Sequence, residues 1–146
     1  MIRKVLVLCI GNICRSPMAE GLLKQALPDC EISSAGLAAL VGKGADPIAV
    51  SIMAEQDIDI SMHRARMVTD EMIKESDLVL VMDKQQLEII TTSHTHSRGK
   101  VFRLGKAAKQ DIPDPYRQGI ETFRDAFELI SNGSVAWASR INRTNR

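Results

Sequence analysis

At 146 residues the chain has room for one domain with a sizeable core, and 45 % apolar with 25 % charged residues excludes a disordered composition. A formal charge of +1 gives no overall electrostatic case for nucleic acid. The apolar run at residues 5–10 is too short to span a membrane and lacks a secretory cleavage pattern, so a cytoplasmic location is expected.

Residues 3–8, "RKVLVL", read as a first strand whose continuous apolar character suits a buried parallel sheet. Pro17 fits the first position of a following helix with Ser16 as its cap, after an eight-residue loop, and Pro28 ends that helix. A short strand is expected over 30–34, then a glycine-rich loop, "GLAALVGKGADP". Asp46-Pro47 starts a helix reaching Glu55, and Thr69 caps a short one over 69–75 with Glu71 or Glu75 outward. A third strand follows at 77–82, a helix over "KQQLEIITTS", and a modest fourth strand over 100–104. Ile120, Phe123, Phe127, Ile130, Trp137 and Ile141 recur at helical steps, predicting a long amphipathic last helix that Asn132-Gly133 is placed to interrupt. No repeat or linker divides the chain. The expectation is one domain of residues 1–146, α/β with helices on both faces of the sheet.

Chemistry concentrates where the first strand ends. Open parallel sheets place ligands beyond the carboxyl ends of their strands, and "CIGNICRS", residues 9–16, lies there. Turn N–H groups and a helix start favour an anion. Gly11 permits close backbone approach, Asn12 tolerates left-handed geometry, and Arg15 offers a planar fork for phosphate oxygens. Neither Gly-x4-Gly-Lys nor Gly-x-Gly-x-x-Gly is present, so this is no ordinary nucleotide loop. Positive surroundings favour the thiolate form of a cysteine, making Cys9 a candidate nucleophile. By itself Cys-x5-Arg leaves several phosphoryl and oxyanion chemistries open. Displacing an aryl phosphate needs a proton donor, and Asp114, stiffened between Pro113 and Pro115 in "DIPDPY", is the candidate; Asp111 is nearby but less specifically placed.

Cysteines occur only at 9, 14 and 30, an odd and sparse set that is neither a disulfide framework nor a zinc-ligand pattern. His94 and His96 form an isolated His-x-His in a polar stretch with no further ligand evident, so no metal site is assigned.

Together "VLCIGNICRSPMAE", "SSAGLAALVGKGADP", "HRARMVTDEMIKESDLVLVMD" and "DPY" resemble the low-molecular-weight protein-tyrosine phosphatases over essentially the whole chain, in particular bacterial members associated with capsule or exopolysaccharide production. The resemblance implies a three-layer α/β/α fold around a four-stranded parallel sheet, with no metal or organic cofactor. It assigns Cys9 as nucleophile, Arg15 as the phosphate-binding residue that stabilises the transition state, and Asp114 as general acid. It makes residues 9–16 (Cys9, Ile10, Gly11, Asn12, Ile13, Cys14, Arg15, Ser16) a phosphate-binding loop, with the Ser16 hydroxyl supporting the thiolate. Asn12, Ser34 and His63 resemble the network organising that loop; Ile13, Leu40 and Tyr116 resemble the aryl-pocket walls. The implied partner is a phosphotyrosine protein, specifically a bacterial tyrosine autokinase, with inorganic phosphate as product.

Two positions depart from the pattern. Arg117 stands where many members carry a second tyrosine after the position of Tyr116, and Leu40 where several eukaryotic relatives carry an aromatic. Arsenate reduction on this loop type needs resolving cysteines downstream, and none follows Cys30. A noncatalytic phosphopeptide-binding module would leave Cys9 and Asp114 without a joint task. Cys14, close to Cys9 in the loop, suggests a reversible protective disulfide, as in redox control of the family.

Overall fold

Period-two alternation along β1 (Lys4–Cys9) divides its side chains between two cores: Val5, Val7 and Cys9 join one, Leu6 and Leu8 the other. The computed structural model describes residues 1–146. In it β1 pairs in parallel with β2 (Glu31–Gly36) on one side and β3 (Leu78–Val81) on the other. The latter pairs in parallel with β4 (Val101–Arg103), so the sheet order is β2-β1-β3-β4. β1 and β3 lie inside the sheet and are covered on both faces, which is why their apolar runs are nearly continuous.

The larger core joins Val5, Val7, Leu78 and Leu80 to Met18 and Leu23 of α1 (Arg15–Ala26), Ile52 and Met53 of α2 (Pro47–Glu55), and Phe123, Ile130 and Trp137 of the last helix. The smaller core joins Leu6, Leu8, Val79 and Val81 to Ile73 of α3 (Asp70–Glu75) and Ile90 of α4 (Lys84–Ser93). This is the expected three-layer α/β/α arrangement. Two helix starts follow their local signals: Asp46 accepts from the Ile48 N–H at 2.9 Å with Pro47 behind it, and Thr69 accepts from the Met72 N–H at 3.1 Å.

Three expectations need correction. α1 begins at Arg15, two residues before Pro17, so the β1–α1 loop is residues 10–14 instead of eight residues long. Ser16 does not cap it; the hydroxyl is engaged by Cys9 and Asn12 instead. Pro17 still falls in the first turn, where a missing N–H breaks no helical bond. β2 runs to Gly36, because Gly36 is in register with Cys9 and its carbonyl accepts from Val68 at 2.9 Å. The last helix, α5 (Ile120–Thr144), passes through Asn132-Gly133 without interruption. A Cβ on Gly133 would lie 2.6 Å from the Leu104 carbonyl oxygen, so glycine lets α5 approach the end of β4. Close packing there outweighs the cost of about 1 kcal/mol for glycine inside a helix. Trp137 in the same stretch donates its Nε1–H to the Arg103 carbonyl at 3.1 Å. No helix is long and apolar enough to cross a membrane.

Candidate active site

The loop after β1 is shaped by what takes its carbonyls. Those of Cys9, Ile10 and Gly11 accept from the N–H groups of Leu37, Ala38 and Leu40 at 2.9, 3.0 and 3.0 Å, so the glycine-rich segment after β2 zips along the loop. The Ile13 carbonyl accepts from the Asp46 N–H at 2.8 Å, and the Asn12 carbonyl accepts from His63 Nε2 at 2.6 Å. A carbonyl only accepts, so the His63 proton resides on Nε2. With these carbonyls held from outside, the N–H groups of Gly11, Ile13 and Cys14 have no acceptor within the protein.

Asn12 holds the loop together. It is fully buried with φ 58°, the left-handed region that asparagine tolerates better than most residues. Its Nδ2 donates to Ser16 Oγ at 2.8 Å and to Ser34 Oγ at 3.0 Å, while Oδ1 accepts from the Arg66 N–H at 3.0 Å. Ser16 Oγ lies 3.0 Å from Cys9 Sγ. Since the Ser16 oxygen already accepts from Asn12, its own proton is free to point at the sulfur, which also accepts from the Asn12 N–H at 3.3 Å. Ser34 in turn donates to Glu20, and Arg66 Nε donates to the Ser34 carbonyl. The four positions that the resemblance assigned to a supporting network thus form one connected hydrogen-bond system; Glu20 and Arg66 complete it and were not found from sequence.

Arg15 is 3 % exposed, and its Nη1 donates to the Ile112 carbonyl at 2.7 Å. Its guanidinium stands 3.7 Å from Asp83 and 3.9 Å from Asp114. A buried cation so surrounded is held in one orientation before any ligand arrives. Asp83 was missed in the sequence reading. Its signal was a carboxylate just past the end of β3 that also opens α4, where its Oδ1 accepts from the Gln86 N–H at 2.8 Å. The loop carrying Asp114 is anchored at both ends of its approach: Ile112 N–H donates to the Met82 carbonyl at 2.8 Å, and Asp111 pairs with Arg103 at 2.6 Å. That pairing holds the Asp111 carboxyl below its usual range and defines Asp111 as an anchor. Asp114 stays half exposed, its Oδ1 accepting from the Tyr116 N–H at 3.1 Å.

Cys9, Ile10, Gly11, Ile13, Cys14, Arg15, Leu40, Asp114 and Tyr116 surround one cavity of about 150 Å³, closed by Ala38, a wall residue the sequence reading did not include. Arg117, at φ 63°, lays its guanidinium over the Tyr116 ring at 5.0 Å from the centroid, so a cation lies on the aromatic wall. Cys9 and Cys14 are both free thiols. The Cys14 thiol is pushed far up, first by burial and then by the nearby carboxylate of Asp46. A larger cleft of about 730 Å³ reaches Ser34, His63 and Arg66 from behind and contains neither Cys9 nor Arg15.

The chain is similar along its length to known proteins. The family described as "Low molecular weight phosphotyrosine protein phosphatase" matches residues 4–146. The chain is 50 % identical over 141 residues to a probable low molecular weight protein-tyrosine-phosphatase, EpsP, of Ralstonia nicotianae, covering 97 % of each chain. The solved Wzb of Vibrio vulnificus in complex with benzylphosphonate superposes with a TM-score of 0.92 at 39 % identity, over 96 % of this chain and 99 % of that one. The arginine phosphatase YwlE of Geobacillus stearothermophilus superposes with a TM-score of 0.91 at 30 % identity, over 97 % and 94 %. By sequence along its length and by fold, the chain belongs to the low molecular weight phosphotyrosine protein phosphatase family.

Proposed function

We propose that this hydrolase cleaves phosphotyrosine in proteins through a cysteinyl-phosphate. The observation that carries the reading is the single cavity that brings together the buried Cys9 and Arg15, the half-exposed Asp114, and the side chains of Ile13, Leu40 and Tyr116. The apolar walls suit an aryl ring, with Tyr116 supplying the stacking surface and Leu40 apolar contact. Phosphate oxygens take the unengaged N–H groups of Gly11, Ile13 and Cys14 and the Arg15 fork. Cys9 Sγ, as thiolate, attacks phosphorus in line; the S–P bond forms as the bond to the phenolic oxygen breaks, and Asp114 gives that oxygen its proton. In the second step the Asp114 carboxylate takes a proton from water, whose oxygen attacks phosphorus. The S–P bond breaks, inorganic phosphate leaves, and the Ser16 hydroxyl receives the thiolate again.

The test is phosphate release from a phosphotyrosine peptide, with phosphoserine and phosphoarginine peptides alongside. Cys9→Ser is expected to abolish turnover and Asp114→Asn to slow it by about 10²–10⁴-fold, the range for a general acid. Unchanged turnover in Cys9→Ser rejects the covalent mechanism, and preference for phosphoarginine rejects the substrate class.

The bacterial exopolysaccharide-type resemblance supports a tyrosine autokinase of polysaccharide export as the partner and a cytoplasmic location for this phosphatase; failure to dephosphorylate the co-occurring kinase counts against the partner. For Cys14 the reading is redox protection. Peroxide converts Cys9 to a sulfenic acid, and Cys14 condenses with it, forming the S–S bond and releasing water. Peptide mapping after mild peroxide is expected to show the Cys9–Cys14 bridge, and Cys9 sulfinic acid without it overturns the reading.

A further inference from the structure

The fold supplies what the isolated His94-Thr95-His96 segment lacks in sequence. Asp70, the first residue of α3, meets both imidazoles on one carboxylate oxygen: His94 Nδ1 is 2.6 Å and His96 Nε2 2.7 Å from Asp70 Oδ1. The three donor atoms lie within 4.8 Å of one another. The rings are nearly perpendicular, at 77° with centroids 6.0 Å apart, so they approach the carboxylate from different directions instead of stacking. We propose that Asp70, His94 and His96 form a binding site for a divalent transition-metal ion of the zinc class.

The donor chemistry sets the class of ion. Two imidazole nitrogens with one carboxylate suit zinc and its neighbours, whereas magnesium and calcium prefer oxygen alone. Bonds of about 2.1 Å in a tetrahedron put neighbouring donors about 3.4 Å apart. The two nitrogen–oxygen separations must therefore open by less than about 1 Å. Side-chain exposures of 21 % for His94, 35 % for His96 and 48 % for Asp70 leave room for that rotation and for water in the fourth position. In the metal-free protein with neutral histidines, His94 Nδ1–H and His96 Nε2–H each donate to Asp70. Coordination shifts each proton to the other ring nitrogen, so no net proton is released. Lys74 Nζ, 3.1 Å from Asp70 Oδ2, occupies the oxygen that the metal does not need.

The site joins α3 to the turn between α4 and β4, so a bound ion is a clamp across two segments that otherwise meet through side-chain hydrogen bonds. It stabilises the folded chain by mass action. None of its residues lines the Cys9–Arg15 cavity.

The test titrates chelator-treated full-length protein with ZnCl₂ and follows the ring nitrogens of the three histidines by long-range ¹H–¹⁵N NMR. Saturation at one equivalent is expected to move His94 Nδ1 and His96 Nε2 while His63 keeps its signals. The zinc-induced rise in Tm should disappear in Asp70→Asn and His96→Ala, and their zinc affinity should fall by about tenfold or more, the effect of disturbing a metal's ligand environment. Thr69 caps α3 independently of these residues, and unchanged His63 signals verify that the variants are folded. Phosphatase turnover of the metal-free variants should equal that of the wild type. Zinc that perturbs only His63 or only the thiols, or that binds Asp70→Asn and His96→Ala as tightly as wild type, overturns the proposal.

Discussion

Asn12 is the residue whose replacement best separates backbone conformation from hydrogen bonding. Asn12→Ala removes the amide that serves Ser16, Ser34 and the Arg66 N–H in a fully buried position. At about 1 kcal/mol for each lost bond, that is about 3 kcal/mol of stability. Alanine must also adopt φ 58°, adding about 1 kcal/mol. Asn12→Gly loses the same hydrogen bonds without the conformational penalty. Urea unfolding should therefore rank wild type above Asn12→Gly and Asn12→Gly above Asn12→Ala, with the two variants about 1 kcal/mol apart. Both should lose kcat on an aryl phosphate by about tenfold or more, because Ser16 is no longer oriented toward Cys9 and the loop N–H groups are no longer preorganised. Full kcat in either variant would refute the assignment of Asn12 as the organiser of the loop. A glycine variant no more stable than the alanine variant would refute the conformational part.

Three further outcomes are expected. Gly133→Ala should lower stability by about 1–3 kcal/mol in urea, because the new Cβ meets the Leu104 carbonyl oxygen; a stabilised variant would mean that α5 moves away freely. Asp83→Ala should cost about 1 kcal/mol as a lost helix cap and also raise KM for phosphate esters through a less constrained Arg15; a stability loss with unchanged kinetics assigns Asp83 to capping alone. Asp77 accepts from the Arg3 and Lys4 N–H groups at 2.8 and 2.9 Å, which hold its carboxyl below the usual range. Its folded value is depressed, so its stabilisation is present above the unfolded value of about 3.9 and is lost as pH falls through the lower folded value. Asp77→Asn should thus be less stable than wild type at neutral pH, with the gap narrowing below about pH 4 in acid titrations followed by circular dichroism. A gap constant with pH would contradict the linkage.

Local chemistry in the chain was enough for the strands, most helix starts and the Cys9–Arg15 loop. Val5 to Leu8 can be buried on both sides only in an internal strand, Asp46 and Thr69 cap whatever helix follows them, and Cys-x5-Arg brings a thiol and a cation together within one turn. The start of α1 was misread because Ser16 has two possible uses. Its hydroxyl can cap a helix or face a sulfur seven residues back; the helix signal pointed to the first use and the family resemblance to the second, and the loop geometry set by Asn12 selects the second. Asn132-Gly133 was ambiguous for a similar reason, since the carbonyl that makes glycine favourable there belongs to Leu104.

Which residues meet across long stretches of chain was beyond any local signal, even where, as at Asp114 and Asp83, the residue carried a signal of its own. Asp83 and Asp114 flank Arg15, Glu20 and Arg66 complete the Asn12 network, and Asp70 meets His94 and His96. The sequence alone determined which residue types could perform phosphoryl transfer and the turn on which they lie. Tertiary structure decided which carboxylates face the arginine, which carbonyls are held by outside donors, and which carboxylate joins the two histidines. Residue type and short spacing are local properties, whereas distances across the sheet exist only once β3, β4 and their connections have packed beside β1.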